Sequence, residues 1–329
     1  MKHGGDLTEA MARYGGDAAH WLDLSTGINP WAYPVGEIAD AAWRRLPSRA
    51  DEQALLSAAR KAYRIPEAVD LVAAPGSQAL IQWLPHLAAN GPVAIVGPTY
   101  NEHASAWQNA GHEVIAIPDI AALPDSALHA VVVNPNNPDG RIHDHATLAA
   151  LAARLQQRGG WLVIDEAFAD VDPALGAAAL CENLPVVILR SFGKFYGLGG
   201  LRLGFAIAAP ETIRRIAMAL GSWAVSGPAL QIGALALGDE AWADHMRAEL
   251  TEHATRLDYI LRQAGGRLIG GTSLFRLIRH PDARYLHVQL ARQRVWVRKF
   301  DYASELLRFG LPPDDAALGR LADALSSDD

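Results

Sequence analysis

Short apolar runs bounded by glycine and proline recur along this chain, at residues 71–74, 93–96, 113–117, 130–133, 161–164, 186–189 and 203–207. Runs this short and this continuously apolar predict strands buried on both faces, because a half-solvated strand alternates polar and apolar positions. Between several of them the apolar spacing becomes helical, at 78–89 and 146–158. Helices that alternate with buried strands cross over a mostly parallel sheet, so the predicted fold class is α/β.

From about residue 239 the pattern changes to one long helix ending near 263, then LIGGTSLFRLI, a helix near 283–293 and the run VWVRKF. This predicts a separate, smaller α+β unit. The expected organisation is an amino-terminal arm at 1–35 that belongs with the small domain, a large domain at 36–238 and a small domain at 239–329. The most apolar region, 216–238, is interrupted by Gly221, Ser222, Ser226, Gly227, Pro228 and Gln231. It predicts two buried segments joined by a turn and not a membrane span.

Composition narrows the function. A chain of 329 residues, half of them hydrophobic, can bury one large core or two smaller ones. A net charge of -7 without a basic run argues against nucleic acid as a partner, while a small anionic substrate stays compatible because local fields govern it. The single cysteine, Cys181, excludes an intrachain disulfide framework and suits a reducing compartment, so the cytoplasm is expected. The opening MKHGGDLTEAMARYGGD has no apolar core followed by a cleavage site, so it does not predict a secretory signal.

The densest chemistry lies in RSFGKFYGLGGLRLGF, residues 190–205, a buried strand running into a glycine-rich turn that carries Ser191, Lys194 and Arg202. Burying a lysine is costly unless its amine is used. An amine of this kind forms a Schiff base with an aldehyde, and pyridoxal phosphate (PLP) is the cofactor that uses that linkage most. Its phosphate wants a hydroxyl, an arginine fork and free amides at a helix start. Ser191 and Arg202 supply the first two; Gly76, Ser77 and Gln78, opening a helix in AAPGSQALIQW, supply the amides.

The pyridine nitrogen needs a buried carboxylate, and Asp165 closes the predicted strand WLVID at the end where α/β sheets bind ligands. Asn137 in VVVNPNNPDG suits the ring 3-oxygen, and Tyr100 in IVGPTYNEH suits stacking on the ring. Two other motifs carry no such chemistry. HDH at 143–145 opens a helix and reads as a solvated cap, so no metal is expected, and GLGG at 197–200 lacks the spacing of a dinucleotide fingerprint.

In order, Gly76-Ser77, Tyr100, Asn137, Asp165, Ser191, Lys194, Arg202 and a late Arg308 resemble fold-type I PLP enzymes of the aspartate aminotransferase superfamily, over about residues 23–311. NPNNPDG, DEAF and SFGK…LRLGF carry the resemblance most sharply. It implies a fold-type I transferase fold with PLP as cofactor and Lys194 and Asp165 as catalytic residues. It also implies a homodimer whose active sites are shared between subunits.

Within the superfamily, HGGD at 3–6 and LDLSTGINPWAYP at 22–34 resemble the threonine-phosphate decarboxylases of cobalamin biosynthesis more than the histidinol-phosphate aminotransferases. Both groups take a small phosphorylated amino-acid substrate. By this resemblance Arg308 meets the substrate carboxylate, Arg298 and His3 its phosphate, and the turn at Gly27 and Asn29 brings backbone near the ligand. Two positions depart from the wider pattern. Phe168 stands where many members carry a tyrosine that bonds the 3-oxygen, and Leu46 stands where the aminotransferases carry a tyrosine that reaches the partner's phosphate. Decarboxylation and transamination differ in which bond to the substrate α-carbon stands across the ring plane, and both remain open at this point.

Overall fold

A computed structural model describes residues 4–326. Its contacts divide the described residues into a larger unit, residues 33–137 and 141–243, and a smaller one, residues 4–32, 138–140 and 244–326.

The first strand, β1 (Leu22–Leu24), belongs to the smaller unit. The larger unit follows with β2 (Asp70–Ala74), β3 (Val93–Val96), β4 (Val114–Ile117), β5 (His129–Val133), β6 (Leu162–Asp165), β7 (Val186–Ser191) and β8 (Gly204–Ala208). They form one sheet in the order β2-β8-β7-β6-β5-β3-β4. The pairs from β7 to β4 are parallel, and β8 runs antiparallel between β7 and β2. Each strand falls within a residue or two of its apolar run, and most are buried along nearly their whole length, as in a sheet covered on both sides; β4, at the end of the sheet, departs from this, with Ala116 exposed and only Ile117 buried.

One sheet face packs on helices Ser77–Leu87, Glu102–Asn109 and Pro210–Leu220 through Leu80, Leu84, Trp107 and Ile216. On helix His145–Gln156, Leu148, Leu151 and Leu155 are buried. Asp144 caps that helix by accepting the Thr147 N–H at 2.7 Å, which accounts for the HDH motif. The apolar region 216–238 forms two helices, Pro210–Leu220 and Gly227–Gly238, separated at the glycine and serine positions. Among the described residues no helix is long and apolar enough to cross a membrane.

The smaller unit holds β9 (Arg267–Thr272), β10 (Phe275–Arg279), β11 (Val295–Phe300) and β12 (Ala303–Gly310) in a second sheet, ordered β1-β11-β12-β10-β9. Here β1 is parallel to β11 and the other pairs are antiparallel. Trp21 and Trp296 meet edge to face at 6.0 Å and join Ala10 and Ala291 in a local core. Neither β1 nor β12 stands out in the apolar pattern: the first is three residues long, and the second carries Glu305 and Arg308 among its apolar positions.

Candidate active site

The parallel strands of the larger sheet end on one edge, and the chain places Gly76, Tyr100, Asn137, Asp165 and Ser191 just after or at those ends. Because β8 is antiparallel, Arg202, two residues before its start, returns to the same edge.

At this edge, contacts too close for a side chain shape a cradle of donor groups. Gly76 has φ +82°, a left-handed backbone that suits glycine, and a Cβ there would lie 2.8 Å from Arg202 Nη2. Opposite Ser191 in the ladder stands Gly204, whose added Cβ would come within 2.4 Å of the Ser77 amide nitrogen. The glycines therefore let the guanidinium and β8 lie against the first amides of the eleven-residue helix Ser77–Leu87. Arg202 is itself left-handed, at φ 55°, and donates through Nη1 to Gly199 O at 3.1 Å. Helix-start amides, a hydroxyl and an arginine fork are the donor set for a phosphate monoester.

Gln78 extends the cradle into a polar chain. Its Nε2 donates to Glu102 at 3.0 Å, and its Oε1 accepts from the Tyr100 hydroxyl at 3.3 Å. Tyr100 meets His103 edge to face at 6.3 Å, and His103 Nε2 lies 2.8 Å from Asp165 Oδ2. The other Asp165 oxygen accepts the Ala167 N–H at 3.0 Å, and the carboxylate is 3% exposed. His103 is the residue that reading the chain missed. It is the second residue of the helix Glu102–Asn109, which starts two positions after Tyr100.

In NPNNPDG the buried asparagines hold the loop. Asn134 closes on His143 through both side-chain atoms, and Asn136 bonds Pro98 O and the Thr99 hydroxyl. Asn137 is half-buried beside them. Lys194 sits on the single turn Phe192–Phe195 after β7, with Nζ 5.8 Å from the centre of the Phe168 ring. At the position where many superfamily members carry a tyrosine, an aromatic face without a hydroxyl stands near the amine.

The expected substrate residues lie in the smaller unit. Arg298 and Arg308 are directly opposite across β11 and β12. Arg308 is 6% exposed and donates through Nη2 to Ser25 O at 2.7 Å. Burial, with the Arg298 charge second, pulls its pKa down to about 10. The same two arginines oppose the rise of the Tyr302 phenol, which burial and the Asp139 carboxylate push up to about 12. Asn29 is buried and accepts the Trp31 N–H at 2.9 Å, and Gly27 is buried two residues before it. His3 lies outside the described residues.

The family model for aminotransferase class I and II matches residues 48–325. Over 327 residues the chain is 47% identical to the threonine-phosphate decarboxylase of a Sinorhizobium species, covering 98% of this chain and 97% of that protein. It is 44% identical to the threonine-phosphate decarboxylase of Pseudomonas aeruginosa, covering 99% and 97% of the two chains. Among solved structures, the histidinol-phosphate aminotransferase of Sinorhizobium meliloti in complex with pyridoxal-5'-phosphate superposes with a TM-score of 0.84. That likeness covers 97% of this chain and 93% of the other at 18% identity, which speaks to the fold alone. With a match of this extent and a sheet edge built as described, the chain belongs to the aminotransferase class I and II family.

Proposed function

We propose that the protein is a PLP-dependent decarboxylase that converts L-threonine O-3-phosphate to 1-amino-2-propanol O-2-phosphate, the aminopropanol precursor of cobalamin. The observation that carries this reading is the near-full-length identity to two threonine-phosphate decarboxylases. The cradle at Gly76, Ser77, Ser191 and Arg202 supports the cofactor, since its donors and its lack of room for side chains suit a phosphate.

When bound, PLP supplies a conjugated sink for the electron pair left at the substrate α-carbon. The chain's own groups do the rest. Ser191, Arg202 and the amides at Ser77 and Gln78 would hold the phosphate, Tyr100 would pack on the ring and Asn137 would donate to the 3-oxygen. Asp165 would keep a proton at the ring nitrogen, and His103 and the Ala167 N–H hold the Asp165 carboxylate in place for it. Lys194 would be the covalent anchor for the cofactor, and its amine would hold the proton that the substrate α-carbon takes up in place of CO₂. Arg308 holds the substrate carboxylate, Arg298 and His3 its phosphate, with Gly27 and Asn29 shaping the adjoining turn. The enzyme would act in the cytoplasm, where the buried Cys181 thiol stays reduced.

The test is incubation of pure protein with threonine phosphate and no keto acid. The expected products are CO₂ and aminopropanol phosphate, with no stoichiometric build-up of pyridoxamine phosphate. Build-up of that form from histidinol phosphate, without CO₂ from threonine phosphate, would establish an aminotransferase instead. In Arg298→Ala the preference for threonine phosphate over free threonine should shrink by about tenfold or more, the scale of one charge-assisted hydrogen bond.

A further inference from the structure

Behind the candidate site lies a cluster of charges with no place in the reaction just described. Glu166, Asp170 and Arg190 are 0%, 6% and 3% exposed. Arg190 Nη2 lies 2.9 Å from Glu166 Oε2, and its Nη1 lies 3.5 Å from Asp170 Oδ1. The guanidinium stands 4.6 Å from the Tyr63 ring centre, and Glu166 Oε1 accepts the Ala177 N–H at 2.8 Å. Gly176 admits the guanidinium closely, since a Cβ there would lie 2.8 Å from Nη2. Burial works against the Arg190 charge, but Glu166 and Asp170 more than offset it and its pKa rises.

The position of the cluster in the chain gives it meaning. Glu166 directly follows Asp165, and Arg190 directly precedes Ser191. Asp165 pairs with Leu189 across β6 and β7, and the Glu166 N–H continues the ladder to Leu189 O at 2.9 Å. On a strand successive side chains alternate between faces, so Arg190 points away from the face to which Ser191 points. A buried ion pair is weak evidence of stability, because apolar residues of similar volume often serve as well or better.

We propose that Glu166, Arg190 and Asp170 form a positioning clamp that sets Asp165 and Ser191 relative to each other. The clamp joins the ends of β6 and β7 across one charge pair and ties both to the segment at 170–177. The inference rests on the reading of Asp165 and Ser191 as the residues that hold the pyridine nitrogen and the phosphate of PLP. None of the three clamp residues touches the cofactor or substrate in this account; they act through their neighbours.

The experiment compares wild type with Glu166→Gln, which removes the charge and keeps an acceptor for Ala177, and Arg190→Lys, which keeps the charge and loses the fork. Thermal unfolding of the apo protein reports stability. PLP affinity and the visible circular dichroism per bound cofactor, taken well below the melting temperature, report how the site is set. Both variants are expected to bind PLP about tenfold more weakly, the scale at which lost outer support weakens a ligand site, with diminished visible dichroism. Asp170→Asn, which leaves the 2.9 Å pair intact, is expected to move both readouts the same way by less. Should Arg190→Lys not fold, Glu166→Gln and Asp170→Asn decide between the outcomes. Lower melting temperatures with wild-type affinity and dichroism would overturn the clamp and leave the cofactor reading standing. A wild type that binds no PLP would overturn both.

Discussion

Asp165 has each carboxylate oxygen engaged, one by His103 and one by a backbone N–H, inside a nearly sealed environment. Such a carboxylate cannot swing to a new partner, which is the property an electrostatic partner for a ring nitrogen needs. Asp165→Asn should therefore retain bound PLP, seen by its absorbance, while CO₂ release falls by about 100-fold or more. Full turnover in that variant would remove Asp165 from the mechanism. Lys194, Ser191 and Arg202 were legible because they fall in one string with a glycine-rich turn. His103 was not, because its importance comes from a partner 62 positions away. A second single residue bears on acid stability. His287 is 3% exposed with its ring 4.8 Å from Trp296, and burial, aided by the Lys299 ammonium, lowers its pKa from 6.5 to about 4. The unfolded chain then binds the proton more readily than the folded one. The resulting stability is full above about pH 6.5 and is lost as pH falls toward about 4, by on the order of 3 kcal/mol. Denaturant titrations across that range should show a shallower acid loss in His287→Phe; an unchanged slope would remove His287 as its source.

At the level of elements, the cradle depends on how closely β8 approaches the start of helix Ser77–Leu87. Gly204→Ala would set a methyl 2.4 Å from the Ser77 nitrogen and 2.8 Å from Arg190 O, so strand or helix must move. The expected cost is about 1–3 kcal/mol of stability, read from denaturant midpoints, together with weakened binding of PLP and of inorganic phosphate. Unchanged phosphate and PLP affinity would show that the cradle does not need this approach. Six of the seven strands of the larger sheet were legible because burial on both faces leaves an uninterrupted apolar run; β4, at the end of the sheet, keeps an apolar run although only Ile117 is buried. β12 was obscured for the opposite reason: Arg308 sits buried in a strand where residue type alone predicts exposure, and its counterpart Arg298 faces it directly. Like charges placed opposite one another weaken a sheet, so this pairing signals a use other than stability.

For the whole molecule, the pattern along the chain changes near residue 239, while contacts put the last crossing between units at Ala243/Asp244, inside the helix Glu240–Gln263. The assignment of residues 138–140 to the smaller unit could not be read from the chain, since it arises from Gly270 and Gly271 lying against the backbone of Asp139 and Gly140. The larger unit leaves Trp43, Leu46, Met218 and Trp223 more than half exposed, and Trp223 borders a cavity of about 320 Å³ with Pro47 and Ser48. Bulky apolar side chains in solvent suit a covered face, as the homodimer implied by the resemblance would supply. Sedimentation should give twice the 35.3 kDa chain mass, and Trp43→Asp with Trp223→Asp should shift the protein toward monomer. A wild type that sediments at the single-chain mass at micromolar concentration would rule the dimer out.

The pairing of β1 with β11 also bears on biosynthesis. Leu22–Leu24 emerges from the ribosome before any residue of the larger sheet, yet its partner Val295–Val297 is made only after that sheet is complete. During translation the first strand must wait beside a domain that can already fold, and the smaller unit closes last, from both ends of the chain. Nascent chains stalled before residue 295 should therefore protect the larger unit from protease while leaving the segment around Trp21 open to cleavage.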